Sequence, residues 1–300
     1  MRMKRSKKAL YYIIPNRTKD PGLVFARRVA RFLREQKEEC RIWSEDERFC
    51  AVPEEEKKRK RIALVLGGDG TVLRAVHDMH TETIPVLGIN LGTVGYLAEI
   101  EKSGYRDALL RLLDGKYYLE KRMMLSGEIR TRAGKKKKMD GAEVFTSLND
   151  IVLMRQGSLR ILQFKVYVGG RVLNAFHADG VIVSTPTGST AYNLSAGGPI
   201  VEPTAEMVLL TPICAHELVA RSIVLSAGQE IMIELVMEKN RTEEDAACRV
   251  VFDGVEELEM EPGERILIRP AERRAQLIKL RRTSFLDTLR TKLEHGSGAN

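Results

Sequence analysis

The sequence predicts an α/β N-terminal domain with a mostly parallel sheet, then an all-β sandwich, then a C-terminal helix that packs back on the first domain. Three observations carry this. Up to about residue 122, short apolar runs alternate with segments of helical period. Beyond it the period falls to two and turn residues recur. From Thr283 the spacing becomes helical again. The boundaries read from these changes are 1–122 for the α/β domain, 123–270 for the sandwich and 271–300 for the returning segment. A chain of 300 residues is long enough for each domain to bury its own core.

In order along the chain, Ala9 to Ile14 reads as a buried strand, ended by Pro15-Asn16-Arg17. Its basic leader imitates a secretory signal, but the apolar stretch is only about six residues long, too short for one. Asp20-Pro21 supplies a cap and a first-turn proline, so a helix follows, with Phe25, Val29, Phe32 and Leu33 on one face. Ile62 to Leu66 is a second buried strand. After a glycine turn, the next helix buries Leu73, Val76 and Met79. Ile84 to Ile89 is a further strand, and Ser103 to Leu113 a further helix with Gly115 as its C-cap. Strand and helix in alternation argue for a parallel sheet covered on both faces.

Past residue 122, Phe164 to Leu173 reads as a hairpin closed by Gly169-Gly170. Val181 to Ser184, Ile223 to Leu225, Ile231 to Val236, Val250 to Asp253 and Ile266 to Ile268 are short strands parted by turn residues, as in a sandwich. Phe285, Leu286, Leu289 and Leu293 give the last segment an apolar helical face that a lone helix leaves uncovered.

Composition narrows the class. With 43% hydrophobic and 30% charged residues, the chain has the make-up of a soluble globular protein, and no apolar run approaches a bilayer span. Cys40, Cys50, Cys214 and Cys248 lack CxxC spacing, which points away from a zinc site or disulfide framework and towards a reducing cytoplasm. The net charge of +8 attracts anions. Lys4 to Lys8, the EEEKKRKR run at 54–61 and KKKK at 135–138 lack interleaved aromatics, so they read as solvated loops, the last a hairpin tip, rather than a nucleic-acid surface. His77 and His80 share a helix face without a third ligand, which favours a surface or packing role over metal binding.

The chemistry lies in three stretches. In LVLGGDGTVL at 64–73, an apolar run ends in Gly67, Gly68 and Gly70 around Asp69, glycines free to adopt positive φ. An Asp-Gly turn can merely cap the next helix. At the carboxyl end of a parallel strand, however, such a corner also presents N–H groups and a positive helix end to phosphate. It has neither the lysine of a Walker A loop nor the spacing of GxGxxG. A carboxylate beside a phosphate-binding backbone suits phosphoryl transfer to a hydroxyl whose proton the carboxylate accepts. A second glycine corner, GINLGTVGYL at 88–97, follows the next strand. The third stretch, DGVIVSTPTGSTAY at 179–192, gathers Thr185, Thr187, Ser189 and Thr190 around Pro186 and Gly188.

These motifs, with LND at 148–150, GGPI at 197–200 and PGERILIRP at 262–270, resemble the NAD kinase family in content and order over most of the chain. GGDGT by itself is shared with diacylglycerol and sphingosine kinases; STPTGSTAY in addition is specific. The resemblance implies phosphorylation of the adenosine ribose 2′-hydroxyl of NAD by ATP or polyphosphate, giving NADP, with magnesium as the divalent cation and NAD bound between the two domains. It implies that Asp69 is the catalytic carboxylate, with Gly67, Gly68, Gly70 and Thr71 at the phosphates and Arg74 placed to meet one. Asn149 and Asp150 match the Asn-Glu pair that holds the adenosine, and Asp179 matches a residue on the nicotinamide side. The resemblance also implies that Thr190, Ala191, Tyr192 and Ser195 lie in the segment that lines the dinucleotide, with Tyr192 able to stack on a base. It further implies a homodimer or homotetramer, with no nucleic-acid or membrane partner.

This chain departs from the family pattern in two places. Asp150 is one methylene shorter than the usual Glu, and His177 stands where relatives vary between Arg and smaller residues that face the substrate phosphates. Arg160 falls where a ligand-facing basic group would lie. Two alternatives stay open: a lipid kinase of the GGDGT superfamily, for which no greasy acceptor groove is evident, and a non-catalytic dinucleotide sensor, which would tolerate loss of Asp69.

Overall fold

The computed structural model describes residues 9–44, 52–79, 82–92, 95–98, 100–138, 142–157, 160–217, 221–237, 248–281 and 284–296. Of the residues singled out above, Lys4–Lys8, Cys50, His80, Thr93, Val94 and Thr283 lie outside that set. Contacts divide the chain into two units, residues 1–121 with 275–300, and residues 122–274.

In the first unit seven strands form one sheet. Leu10–Pro15 pairs in parallel with Glu39–Ile42 on one side and Arg61–Gly67 on the other. Val86–Asn90 continues the parallel order and pairs with Ile100–Glu101 and Ala275–Lys279, and Tyr118–Arg122 lies at the edge. The three runs expected as buried strands are buried almost throughout, because helices cover both faces. The third begins at Val86 rather than Ile84, since Pro85 has no N–H to give a ladder and contributes only its carbonyl, to Ala63.

Helix Val24–Glu35 buries the predicted Phe25, Val29, Phe32 and Leu33. A 3-10 turn at Pro21–Leu23 precedes it, so Asp20 caps from further back: its buried carboxylate accepts N–H bonds from Phe25 and Ala26, both at 2.8 Å. Helix Asp69–Asp78 starts directly at the carboxylate, and this sets its inner face at Val72, Ala75 and Val76, with Met79 just beyond; Leu73, expected inside, is only half-buried. His77 is buried in this helix. The helix expected over 103–113 is a 3-10 turn at Lys102–Gly104 followed by Tyr105–Leu113, and Gly115 at φ +72° ends it as predicted. Helix Phe285–Gly296 belongs to the same unit, with Phe285 and Leu289 half-buried and Leu286 exposed.

The second unit is an antiparallel sandwich of two six-stranded sheets. One runs 171–178, 162–168, 231–235, 265–270, 125–130, 145–147; the other 223–226, 207–213, 180–184, 150–155, 248–252, 256–260. Their alternating inner residues, among them Phe164, Val166, Ile233, Ile266, Leu153, Val183, Val250 and Phe252, make one core. The hairpin turn is as predicted: Gly169 and Gly170 both have positive φ, +55° and +77°, which a primed turn requires.

The charged runs are more structured than solvated loops. Glu54–Lys57 is a helical turn, and Arg59 and Arg61 pair with Glu39 and Glu82. In KKKK the turn itself falls earlier, at Thr131–Gly134, and Lys136, Lys137 and Lys138 pair with Glu128, Glu264 and Glu143. Among the described residues no helix is long and apolar enough to cross a membrane, and Cys40, Cys214 and Cys248 are free.

Candidate active site

In the first unit the corner after Arg61–Gly67 is built around Asp69. Its carboxylate accepts three backbone N–H bonds from the second glycine corner: Tyr96 to Oδ2 at 2.7 Å, and Leu97 and Ala98 to Oδ1 at 3.0 Å. A carboxylate offers about four lone-pair sites, so these bonds fix its orientation and leave room for one further donor. Burial, then the Asp69 charge, holds the Tyr96 phenol above its ordinary pKa.

The glycines serve space rather than positive φ, which none of Gly67, Gly68 and Gly70 adopts. A β-carbon on Gly67 would lie 2.2 Å from Thr71 Oγ1, and one on Gly95 would lie 1.9 Å from Asp69 Oδ1. Gly70 is different: nothing stands within 4 Å of where its β-carbon would be, and it faces outward. Of the first helical turn, the N–H groups of Thr71 and Val72 are taken by Gly68 O at 3.0 and 3.2 Å, so the open side at Gly70 leaves space beside the helix start. Gly70, Thr71 and the predicted Arg74 line a cleft of about 300 Å³ with Arg17, Thr18 and Trp43.

Two asparagines tie this corner together. Asn16 donates from Nδ2 to Thr71 Oγ1 at 3.0 Å, and buried Asn90 accepts the N–H of Gly92 at 2.8 Å. Asn16, Asn90 and Gly95 went unassigned in the sequence because nothing local marks them. Only position helps: each asparagine sits at the carboxyl end of a parallel strand.

In the second unit the organising group is Asp253, also unassigned from sequence. It stands at φ +53° in the Asp-Gly turn of the hairpin Cys248–Phe252 and Glu256–Met260, and an Asp-Gly pair is the signal that marks such a turn. Its carboxylate accepts the N–H groups of Leu148, Asn149 and Asp150 at 2.6, 2.7 and 3.2 Å. The hydroxyl-rich loop clamps the same segment from its other side. Thr185 Oγ1 donates to the Leu148 carbonyl, and Thr185 N and Ser184 Oγ donate to that of Asn149. Gly188 is required here, since a β-carbon would lie 2.2 Å from Asn149 O.

Most of the loop's hydroxyls therefore hold the loop itself. Ser189 Oγ bonds Pro186 O and Val201 N, buried Asn193 joins Ser189, Pro199 and Thr211, and buried Arg122 donates to Thr187 Oγ1 at 3.2 Å. What remains outward is Thr190, Ala191, Tyr192 and Ser195, each half-buried or exposed. The Tyr192 phenol is held above its ordinary pKa by burial and then by Cys214, Asp150 and Asp179, the last two at opposite ends of the paired strands Asp150–Arg155 and Gly180–Ser184. Asp179 is paired with Arg155 Nε at 2.7 Å. His177 is tied to Glu217, through its backbone N–H at 2.8 Å and ring Nδ1 at 3.1 Å, and Arg160 is exposed at the edge of residues 158–159.

Asp150 is buried beside ionised Asp253, and burial first, then that charge, pushes its carboxyl up to about 7. Between its ordinary range near 4 and that value, the folded chain holds a proton that the unfolded chain has lost. Stability is therefore full below about pH 4 and falls as pH rises towards 7, by at most about 4 kcal/mol. Asp150→Asn, measured by melting temperature from pH 5 to 8, is expected to flatten this dependence and to melt above the parent chain at pH 8. Parallel curves for the two proteins would contradict it.

The comparisons agree with one another. A family model described as ATP-NAD kinase N-terminal domain matches residues 28–117, and one described as ATP-NAD kinase C-terminal domain matches residues 148–280. The NAD kinase of Lachnospira eligens is 42% identical, across 94% of this chain and 99% of its own length. That of Lachnoclostridium phytofermentans is 40% identical, across 94% and 98%. Among solved structures, yeast NADH kinase complexed with NADH matches with a TM-score of 0.83 at 22% identity, covering 99% of this chain and 89% of that one. An NAD kinase from Archaeoglobus fulgidus in complex with ATP matches at 0.71 and 24% identity, covering 90% and 93%. At these identities the two structures bear on the fold, an α/β unit with a sandwich unit.

Proposed function

The chain belongs to the NAD kinase family, and from that premise we propose that it phosphorylates the adenosine ribose 2′-hydroxyl of NAD with ATP, producing NADP and ADP. The observation that carries the residue assignment is the Asp69 carboxylate, fixed by three N–H bonds at the first turn of a helix, with a cleft lined by Arg17 and Arg74 beside it. The 2′-oxygen attacks the γ-phosphorus of ATP, the bond from that phosphorus to the ADP oxygen breaks, and the hydroxyl proton passes to Asp69. Positioning and charge stabilisation do most of the catalytic work in such a transfer, with little covalent chemistry for the protein.

In this reading Gly67, Gly68, Gly70 and Thr71 border the phosphates, and Arg74 neutralises charge on them. Magnesium enters on the donor's phosphates as part of the substrate, since this ion is held largely by phosphate oxygens and water. Asn149, Asp150, Asp179, Thr190, Ala191, Tyr192 and Ser195 hold the dinucleotide, with Arg160 and His177 contributing on the phosphate side. The clamp of Asp253 on residues 148–150 supports the first of these roles, because it fixes the backbone that presents Asn149 and Asp150. We further propose, on family likeness, a cytoplasmic homodimer or homotetramer.

The test is chromatographic. The full chain with NAD and magnesium-ATP is expected to accumulate NADP, and polyphosphate in place of ATP decides the range of donors. Phosphorylation of diacylglycerol and not of NAD would replace this reading with a lipid kinase, and NAD binding without turnover would replace it with a sensor.

A further inference from the structure

The Gly67–Thr71 turn contains no lysine, yet the fold brings one to it from elsewhere. Lys19 lies in the loop after the first strand, and its ammonium rests against both glycine corners. A β-carbon on Gly68 would be 3.3 Å from Lys19 Nζ, and one on Gly92 would be 3.4 Å from it. Two bare backbones thus leave a gap with a cation over it.

The loop that carries Lys19 is stitched to the same turn. Its N–H donates to Asn16 O and Oδ1 at 3.1 and 3.0 Å, while Asn16 donates to Leu66 O at 2.7 Å and to Thr71 Oγ1 at 3.0 Å. On its other side stands Asp20, buried and bonded to the start of helix Val24–Glu35. The backbone of Lys19 is therefore anchored at both neighbours, although its side chain is exposed. Among the described residues Lys19 makes no ion pair, Asp69 included. A surface lysine with no such role would have no reason to lie across two glycine corners.

We propose that Lys19 holds a phosphate of the phosphoryl donor, as the cation that the Gly67–Thr71 turn itself lacks; this rests on the NAD kinase reading. A lysine ammonium acts on phosphate as a compact point charge with three donors. The two glycines then have a joint purpose here, because a side chain at either would fill the space a phosphate oxygen needs between Nζ and the backbone.

The experiment compares the full chain with Lys19→Met, Lys19→Gln and Lys19→Arg. Loss of one charge-assisted contact should lower kcat/KM for magnesium-ATP about 10- to 100-fold, with KM for NAD unchanged. Arginine keeps the charge and should recover the larger part, and the dependence of kcat/KM for ATP on ionic strength should be shallower for Met and Gln than for the parent chain. Melting temperatures establish that each variant folds; should Met disturb the loop, Gln and Arg decide. ATP affinity by calorimetry without NAD provides a separate readout. If the parent chain made no NADP, the family-based reading would fail while calorimetry still judged Lys19. Equal ATP affinity and equal kcat/KM in Met, Gln and parent, or an equal loss for NAD and ATP, would overturn the assignment.

Discussion

Asp69→Asn is expected to slow NADP formation by about two to four orders of magnitude, the range a positioned general base supplies. The amide keeps the size of the carboxylate but has only one acceptor oxygen. Its NH2 group must then face either the Tyr96 N–H, now 2.7 Å from Oδ2, or the Leu97 and Ala98 N–H groups, both 3.0 Å from Oδ1. Donor opposes donor in either orientation, so the substitution should also lower stability, by roughly 1–3 kcal/mol for groups left unsatisfied. Turnover and melting temperature must therefore be measured together. A folded Asp69→Asn variant that binds NAD normally and has lost turnover fits the base; turnover equal to that of the parent chain removes Asp69 from the chemistry and favours a sensor.

The second large effect comes from a residue with no functional atom of its own. Gly95→Ala would put a methyl group 1.9 Å from Asp69 Oδ1 and 2.3 Å from Oδ2, closer than any real contact, so the carboxylate or its loop must move. A displacement of about 1 Å at a reacting group costs on the order of a hundredfold in rate. That loss is the expected result, with a lower melting temperature because the three N–H bonds shift as well. Gly70→Ala is the control for space. Nothing lies within 4 Å of its β-carbon position, and alanine is the better helix former, so that variant should melt at or above the parent temperature. If Gly95→Ala kept full activity, Asp69 would not depend on the orientation described here.

Much was legible before any coordinates. Runs such as Arg61–Gly67 and Val86–Asn90 are buried on both faces and so read as continuous apolar strands, whereas Glu39–Ile42 is a partly exposed edge strand with two charges in four residues and carries no pattern. Tyr118–Arg122 and Ala275–Lys279 were missed for a related reason. They complete the first sheet from opposite ends of the sandwich sequence, and neither announces its neighbour.

Among the site residues, the glycine corner around Asp69 and the loop at 184–195 were visible because turn chemistry is written in adjacent residues. The sequence by itself determined these local things: the strand and helix periods, the corners, and the motifs that mark the family. The tertiary structure alone decided which groups are engaged and which are available. Asp69 meets donors 27 to 29 residues away, and Asp253 meets donors more than 100 residues away. Such bonds join groups that are distant along the chain, and only strand pairing, of Arg61–Gly67 with Val86–Asn90 and of Asp150–Arg155 with Cys248–Phe252, brings them within about 3 Å.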